Sequence, residues 1–90
     1  MKKKINCIQD FIRMVYHIDE PSEEMVKRLY LDLSKLSDKE ERILRLRFGL
    51  DDNKERTYKE IGHEFGVTAA RIQQIVKSSI KKLQILSEKE

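Results

Sequence analysis

The sequence predicts an all-α fold, a small five-helix domain with a helix-turn-helix at its C-terminal end. Three observations carry that expectation. Apolar residues recur at steps of three and four along most of the chain, the period of a helix with one buried face. Capping and breaking residues interrupt this pattern at regular intervals, and no stretch alternates as a strand would. The 90 residues are 39% charged and 39% hydrophobic, with one proline and no tryptophan, which suits short helices sharing one small core.

The first helix is expected over 5–18, where Ile5, Ile8, Phe11, Ile12, Val15 and Ile18 form its apolar stripe. Asp19-Glu20-Pro21 ends it, because proline biases the preceding residue away from helix. Ser22-Glu23-Glu24 opens the second helix with acids in the first turn, where the helix dipole favours them. Its stripe is Met25, Val26, Leu29, Tyr30 and Leu33, and it stops near Ser34-Lys35. Ser37-Asp38-Lys39-Glu40 is a capping box for the third helix. That helix turns Ile43, Leu44 and Phe48 inward and closes at Gly49. Residues 50–56 read as a polar loop. Thr57-Tyr58-Lys59-Glu60 is a second capping box, and Gly66 stops the short fourth helix. Thr68 caps the fifth, whose apolar positions are Ile72, Ile75, Ile80 and Leu83.

Several function classes fall away. No apolar run approaches the roughly 20 residues needed to span a bilayer, so no membrane partner is expected. The basic Met1-Lys2-Lys3-Lys4 is followed by Asn6, Gln9, Asp10 and Arg13 rather than by the apolar region of a signal peptide. Cys7 is the only cysteine and offers neither an internal disulfide nor a metal cluster; it reads as a small buried hydrophobe. His17 and His63 lie far apart and read as non-functional. There is no Ser/His/Asp arrangement and no glycine-rich phosphate loop. The expectation is a cytoplasmic protein with no enzymatic activity, no catalytic residues, no metal and no cofactor.

Charge is polarised along the chain. The net charge is +3, yet residues 19–41 hold eight Asp/Glu against four Lys/Arg. No acidic residue lies between Phe65 and Ser87, where Arg71, Lys77, Lys81 and Lys82 all fall. A basic, acid-free segment suits a polyanion, although a solvated helix face would have the same composition.

The spacing within residues 57–83 decides between them. A helix-turn-helix needs two helices crossing steeply over a three- or four-residue turn. Gly62 falls on the inner face of the fourth helix, where a larger side chain would clash. Gly66 falls in the turn, where glycine takes a positive φ without strain. Ile61, Phe65, Val67, Ile72 and Ile75 are placed to fill the wedge. The other face of the fifth helix shows Ala69, Ala70, Gln73, Gln74 and Lys77 to solvent, an arrangement suited to double-stranded DNA.

The run Leu36-Ser37-Asp38-Lys39-Glu40-Glu41-Arg42-Ile43-Leu44-Arg45-Leu46-Arg47-Phe48-Gly49-Leu50-Asp51 resembles the opening of region 4.2 of primary sigma factors of the sigma-70 family. Thr57-Tyr58-Lys59-Glu60-Ile61-Gly62, Val67-Thr68-Ala69-Ala70-Arg71-Ile72-Gln73-Gln74-Ile75 and Lys81-Lys82-Leu83 continue it. Residues 22–35 resemble region 4.1 more weakly, so the likeness covers 22–84. It implies a division into residues 1–21, an amphipathic helix and linker, and 22–86, a region 4-like domain.

The resemblance also implies binding to promoter DNA at the upstream (−35) element, with the RNA polymerase core engaged through the flap of its β subunit. By position, Lys39, Arg47 and Thr57 match phosphate-contacting residues, and Gln73 and Gln74 match residues facing the groove. The candidate DNA-binding set is Lys39, Arg47, Thr57, Tyr58, Thr68, Ala69, Ala70, Arg71, Gln73, Gln74 and Lys77. The expected setting is the nucleoid of a bacterial or phage-infected cell.

Two departures qualify this. Ala69-Ala70 stands where the family usually has Arg-Glu, the pair that reads G and C, and Ser78 stands where a basic residue is usual. A different or relaxed sequence preference follows. The chain also lacks tryptophan, and its three tyrosines and three phenylalanines are scattered, so either a second protein partner supplies promoter melting or the chain only regulates. The alternative is a module that docks on the flap, or on another sigma-like subunit, with little DNA contact of its own. The helix of residues 1–18 is read as a cap on the small core, with docking on a partner as the other option.

Overall fold

The computed structural model describes residues 7–88, so Lys2-Lys3-Lys4 and Ile5 lie outside the described residues. Among the described residues there are five helices and no strand: α1 (Cys7–Tyr16), α2 (Glu23–Leu33), α3 (Asp38–Arg47), α4 (Tyr58–Phe65) and α5 (Ala69–Glu88). The all-α expectation holds.

The 20-residue α5 is the spine, and the other four helices pack against it. Ile72, Ile75, Val76, Ser79 and Leu83 form its buried side. They meet Phe11, Ile12 and Val15 of α1, Leu29 and Leu33 of α2, Ile43 and Leu44 of α3 and Ile61 of α4 in one core. The Phe11 and Phe48 rings, 4.7 Å apart and tilted by 43°, tie α1 to the end of α3.

Both capping boxes form as the sequence predicts. The Ser37 hydroxyl accepts from the Glu40 N–H at 3.2 Å, and a Glu40 carboxylate oxygen accepts from the Ser37 N–H at 3.1 Å. The same exchange joins Thr57 and Glu60 at 3.0 and 2.8 Å.

Three expectations need correction. α1 ends at Tyr16, before the Asp-Glu-Pro break, because His17 turns left-handed with φ 56°. The Arg13 guanidinium then holds the Asp19 carbonyl at 2.9 Å and folds the connection back over α1. Leu50 is not part of a polar loop. The chain turns inward after α3, the Leu50 N–H bonds the Arg45 carbonyl at 3.0 Å, and the side chain enters the core. On α5, Val76 and Ser79 occupy the buried face, whereas Ile80 is half-buried. Ser79 is tolerated there because its hydroxyl donates to the Ile75 carbonyl at 2.7 Å.

Two polar links have no counterpart in the hydrophobic pattern. Asp32 is fully buried, accepts from the Tyr16 hydroxyl at 2.7 Å and takes the Arg28 Nε at 3.3 Å, pinning α1 to α2. Burial, and then the neighbouring carboxylate, push the Tyr16 pKa well above its ordinary value, so the hydroxyl stays a donor. Asn53, in the loop before α4, accepts from the Cys7 N–H at 2.8 Å and so caps α1 from 46 residues away.

Candidate nucleic-acid interface

The helix-turn-helix is built on close backbone approach. A Cβ on Gly62 would lie 2.6 Å from the Val67 carbonyl oxygen and 3.3 Å from the Ala69 nitrogen, so only glycine lets α4 meet the turn. The Val67 N–H closes the turn by bonding the Gly62 carbonyl at 2.9 Å. Gly66 takes φ 70° and ψ 31° and ends α4. The Thr68 hydroxyl accepts from the Arg71 N–H at 3.1 Å and starts α5. Ile61, Ile72 and Ile75 are buried in the wedge, and Phe65 and Val67 are half-buried there.

This scaffold leaves the first two turns of α5 exposed. Thr68, Ala69, Ala70, Arg71, Gln73, Gln74 and Lys77 all face solvent. Helical spacing lines up Ala70, Gln74, Lys77 and Lys81 as one outward row, opposite Ile72, Val76 and Leu83. Lys81 extends the candidate set; its i+4 relation to Lys77 was the signal available. No acidic residue occurs on α5 before Glu88.

The cations of the molecule divide into two kinds. Arg42 pairs with Glu64 at 3.4 Å, Arg45 with Glu41 at 2.8 Å and Asp51 at 2.7 Å, and Arg56 with Asp52 at 2.6 Å. Those guanidiniums are already engaged. Among the described residues, Lys39, Arg71, Lys77 and Lys81 have no acidic partner and are exposed, as are Lys27, Lys54 and Lys59 elsewhere on the surface. An approaching phosphate would meet them without first displacing a carboxylate.

Arg47 and Tyr58 come together in a way the sequence did not reveal. The Arg47 guanidinium lies 4.1 Å from the Tyr58 ring centroid and donates to the Arg56 carbonyl at 2.9 Å. Its Nε is buried with no hydrogen-bond partner. Arg47 therefore clamps the end of α3 to the start of α4 and is half-buried rather than free. Thr57 caps α4 beside this stack.

Lys39 sits apart from the stack. It lies in the first turn of α3, about 12 Å along the helix from Arg47. Its neighbour Glu40 reaches α5, accepting from the Lys82 ammonium at 2.6 Å. This link positions the α3 N-terminus on α5. Lys82, and secondarily Ser37, hold the Glu40 carboxyl below its ordinary pKa.

The cavities are shallow and chemically spent. A cleft of about 280 Å³ lined by Asp38, Glu41, Arg42, Arg45, Leu46 and Asp51 contains the Arg45 ion pairs just described. An apolar groove lies between Lys35, Leu36, Lys82, Ile85 and Leu86. Among the described residues no group of three or more His, Cys, Asp or Glu is placed to hold a metal ion. His17 and His63 are exposed, and Cys7 is buried, its thiol pKa raised mainly by that burial. No helix among the described residues is long and apolar enough to cross a membrane.

Comparison with known proteins bears on the same segment. The family model for sigma-70, region 4 matches residues 33–84. The chain is 48% identical over 67 residues to "RNA polymerase sigma factor SigA" of Listeria monocytogenes, and equally to the protein of that name from Listeria innocua. Each match covers 73% of this chain and 18% of the relative, so the chain spans under a fifth of the length of these relatives.

Proposed function

Because the chain belongs to the sigma-70 region 4 family, we propose that it binds the upstream (−35) promoter element through residues 57–83, in company with RNA polymerase. Region 4 of sigma factors is a DNA-binding, non-enzymatic domain. The observation that carries the reading is the outward face of α5: exposed, free of acids up to Glu88, and continued by cations without acidic partners.

In this reading α5 enters the major groove with its N-terminal turns. Ala69, Ala70, Gln73 and Gln74 meet base edges. Arg71, Lys77, Lys39, Thr57 and Thr68 meet phosphates, and Tyr58 holds Arg47 toward the backbone. Residues 22–86 are the DNA-binding unit, extended by 1–21. The β flap is the polymerase contact, and a second protein supplies promoter melting. The setting is the nucleoid of a bacterial cell, with or without an infecting phage.

A second reading draws on Ala69-Ala70 and on the apolar groove where Ile85 is exposed. There the chain docks on the flap and touches DNA little. Anisotropy measured against salt, beside pull-down with the isolated flap, separates the two. The four cations Lys39, Arg47, Arg71 and Lys77 on phosphates give a log–log salt slope of about −4. Flap capture with no salt-dependent DNA binding would overturn the first reading.

A further inference from the structure

The chemistry on the α5 face narrows the class of DNA it can read. The first exposed turns present two methyl groups, Ala69 and Ala70, then two primary amides, Gln73 and Gln74. Among the described residues neither amide is engaged by the protein, and both stand exposed.

Each base edge in the major groove demands a different partner. Guanine offers two acceptors and is read by a bidentate cation. Cytosine offers a donor and is read by a carboxylate. Adenine pairs with a Gln or Asn amide, and the thymine methyl with a small apolar group. The reading turns of α5 have no carboxylate, which removes cytosine recognition of that kind.

Their cations are misplaced for guanine. Arg71 shares a helical row with Ile75, Ser78 and Lys82; Ile75 is buried and Lys82 is tied to Glu40 on α3. Arg71 therefore stands on the flank toward α3. Lys77 and Lys81 lie about 12 and 18 Å beyond Ala69 along the axis, past the end that enters the groove first.

We propose that α5 selects an A·T-rich stretch, with Ala69 and Ala70 on thymine methyls and the Gln73 and Gln74 amides on adenine edges. The inference rests on the DNA-binding reading above and sharpens it from an unspecified preference to a stated base composition.

The test is selection of binding sites from random duplexes by the full 90-residue chain, followed by atom-level substitution in the selected site. Uracil for thymine deletes only the methyl, and 7-deazaadenine deletes only the N7 acceptor. We expect A·T pairs at the protected positions. The adenine substitution should weaken binding by about five- to 150-fold at a bidentate contact. The thymine substitution should weaken it by a smaller, reproducible factor. Gln74→Ala or Gln73→Ala should abolish the 7-deazaadenine effect at the adenine that glutamine contacts, while leaving the uracil effect in place. Both glutamines are exposed, so unchanged thermal unfolding certifies the variants.

Selection of G·C pairs at protected positions, or indifference to both base analogues, overturns this inference while DNA binding stands. Failure to bind any duplex at low salt overturns both.

Discussion

Glu40 shows how much one side chain can join. One oxygen completes the cap of α3, and the other takes the Lys82 ammonium on α5. Its pKa is lowered on folding, so between the folded value and the ordinary carboxylate value of about 4.3 the unfolded chain binds the extra proton. The contribution is complete above about pH 5 and is lost as pH falls through the folded pKa. Glu40→Gln keeps the cap acceptor and loses the ion pair. It should cost about 1 kcal/mol near neutrality, since Lys82 is half in solvent, and the difference from the parent should shrink as pH falls through the folded pKa. Thermal unfolding of both proteins from pH 7 to pH 3 checks this. None of it was legible in the sequence beyond the capping box. A Ser-x-x-Glu spacing reports a local exchange and cannot report a partner 42 residues away.

The helix-turn-helix was the most legible element, because its constraints are local. Gly62, Gly66, Thr57 and Thr68 act on neighbours within a few residues, and the structure finds them in the conformations their chemistry requires. The two glycines nevertheless differ in kind. A methyl on Gly62 meets the Val67 carbonyl, which is backbone and cannot swing away. A methyl on Gly66 meets nothing within 4 Å and carries only the penalty of a left-handed residue. Gly62→Ala should therefore destabilise by about 2–3 kcal/mol and splay α4 from α5. Gly66→Ala should cost about 1–2 kcal/mol and leave DNA affinity near the parent value. Urea unfolding paired with anisotropy measures both, and an equal loss of affinity in the two variants would contradict the distinction. Less legible were α1 and the loop before α4. The end of α1 depends on a left-handed His17, its cap on Asn53, and the loop on Leu50 turning inward; each is decided by tertiary contact rather than by local spacing.

At the scale of the whole molecule, α1 belongs to the common core although the family match begins at residue 33. Phe11, Ile12 and Val15 are almost wholly buried, and Phe11 rests on Phe48. Phe11→Ala should cost about 3–5 kcal/mol, a large share of the roughly 5–15 kcal/mol that a small domain has. Circular dichroism should show a molecule near its unfolding midpoint at growth temperature, refolded by a stabilising osmolyte with DNA affinity restored. Native spectra with lost partner binding would instead mark α1 as a docking helix. The helix α5 unites the two concerns, since its inner row is fixed by packing and its outer row by whatever it meets. The consequence is a modular alphabet. Substitutions at 69, 70, 73 and 74 leave the interior untouched, so new DNA addresses can be written on the same twenty residues by changing a few exposed letters, in evolution or by design.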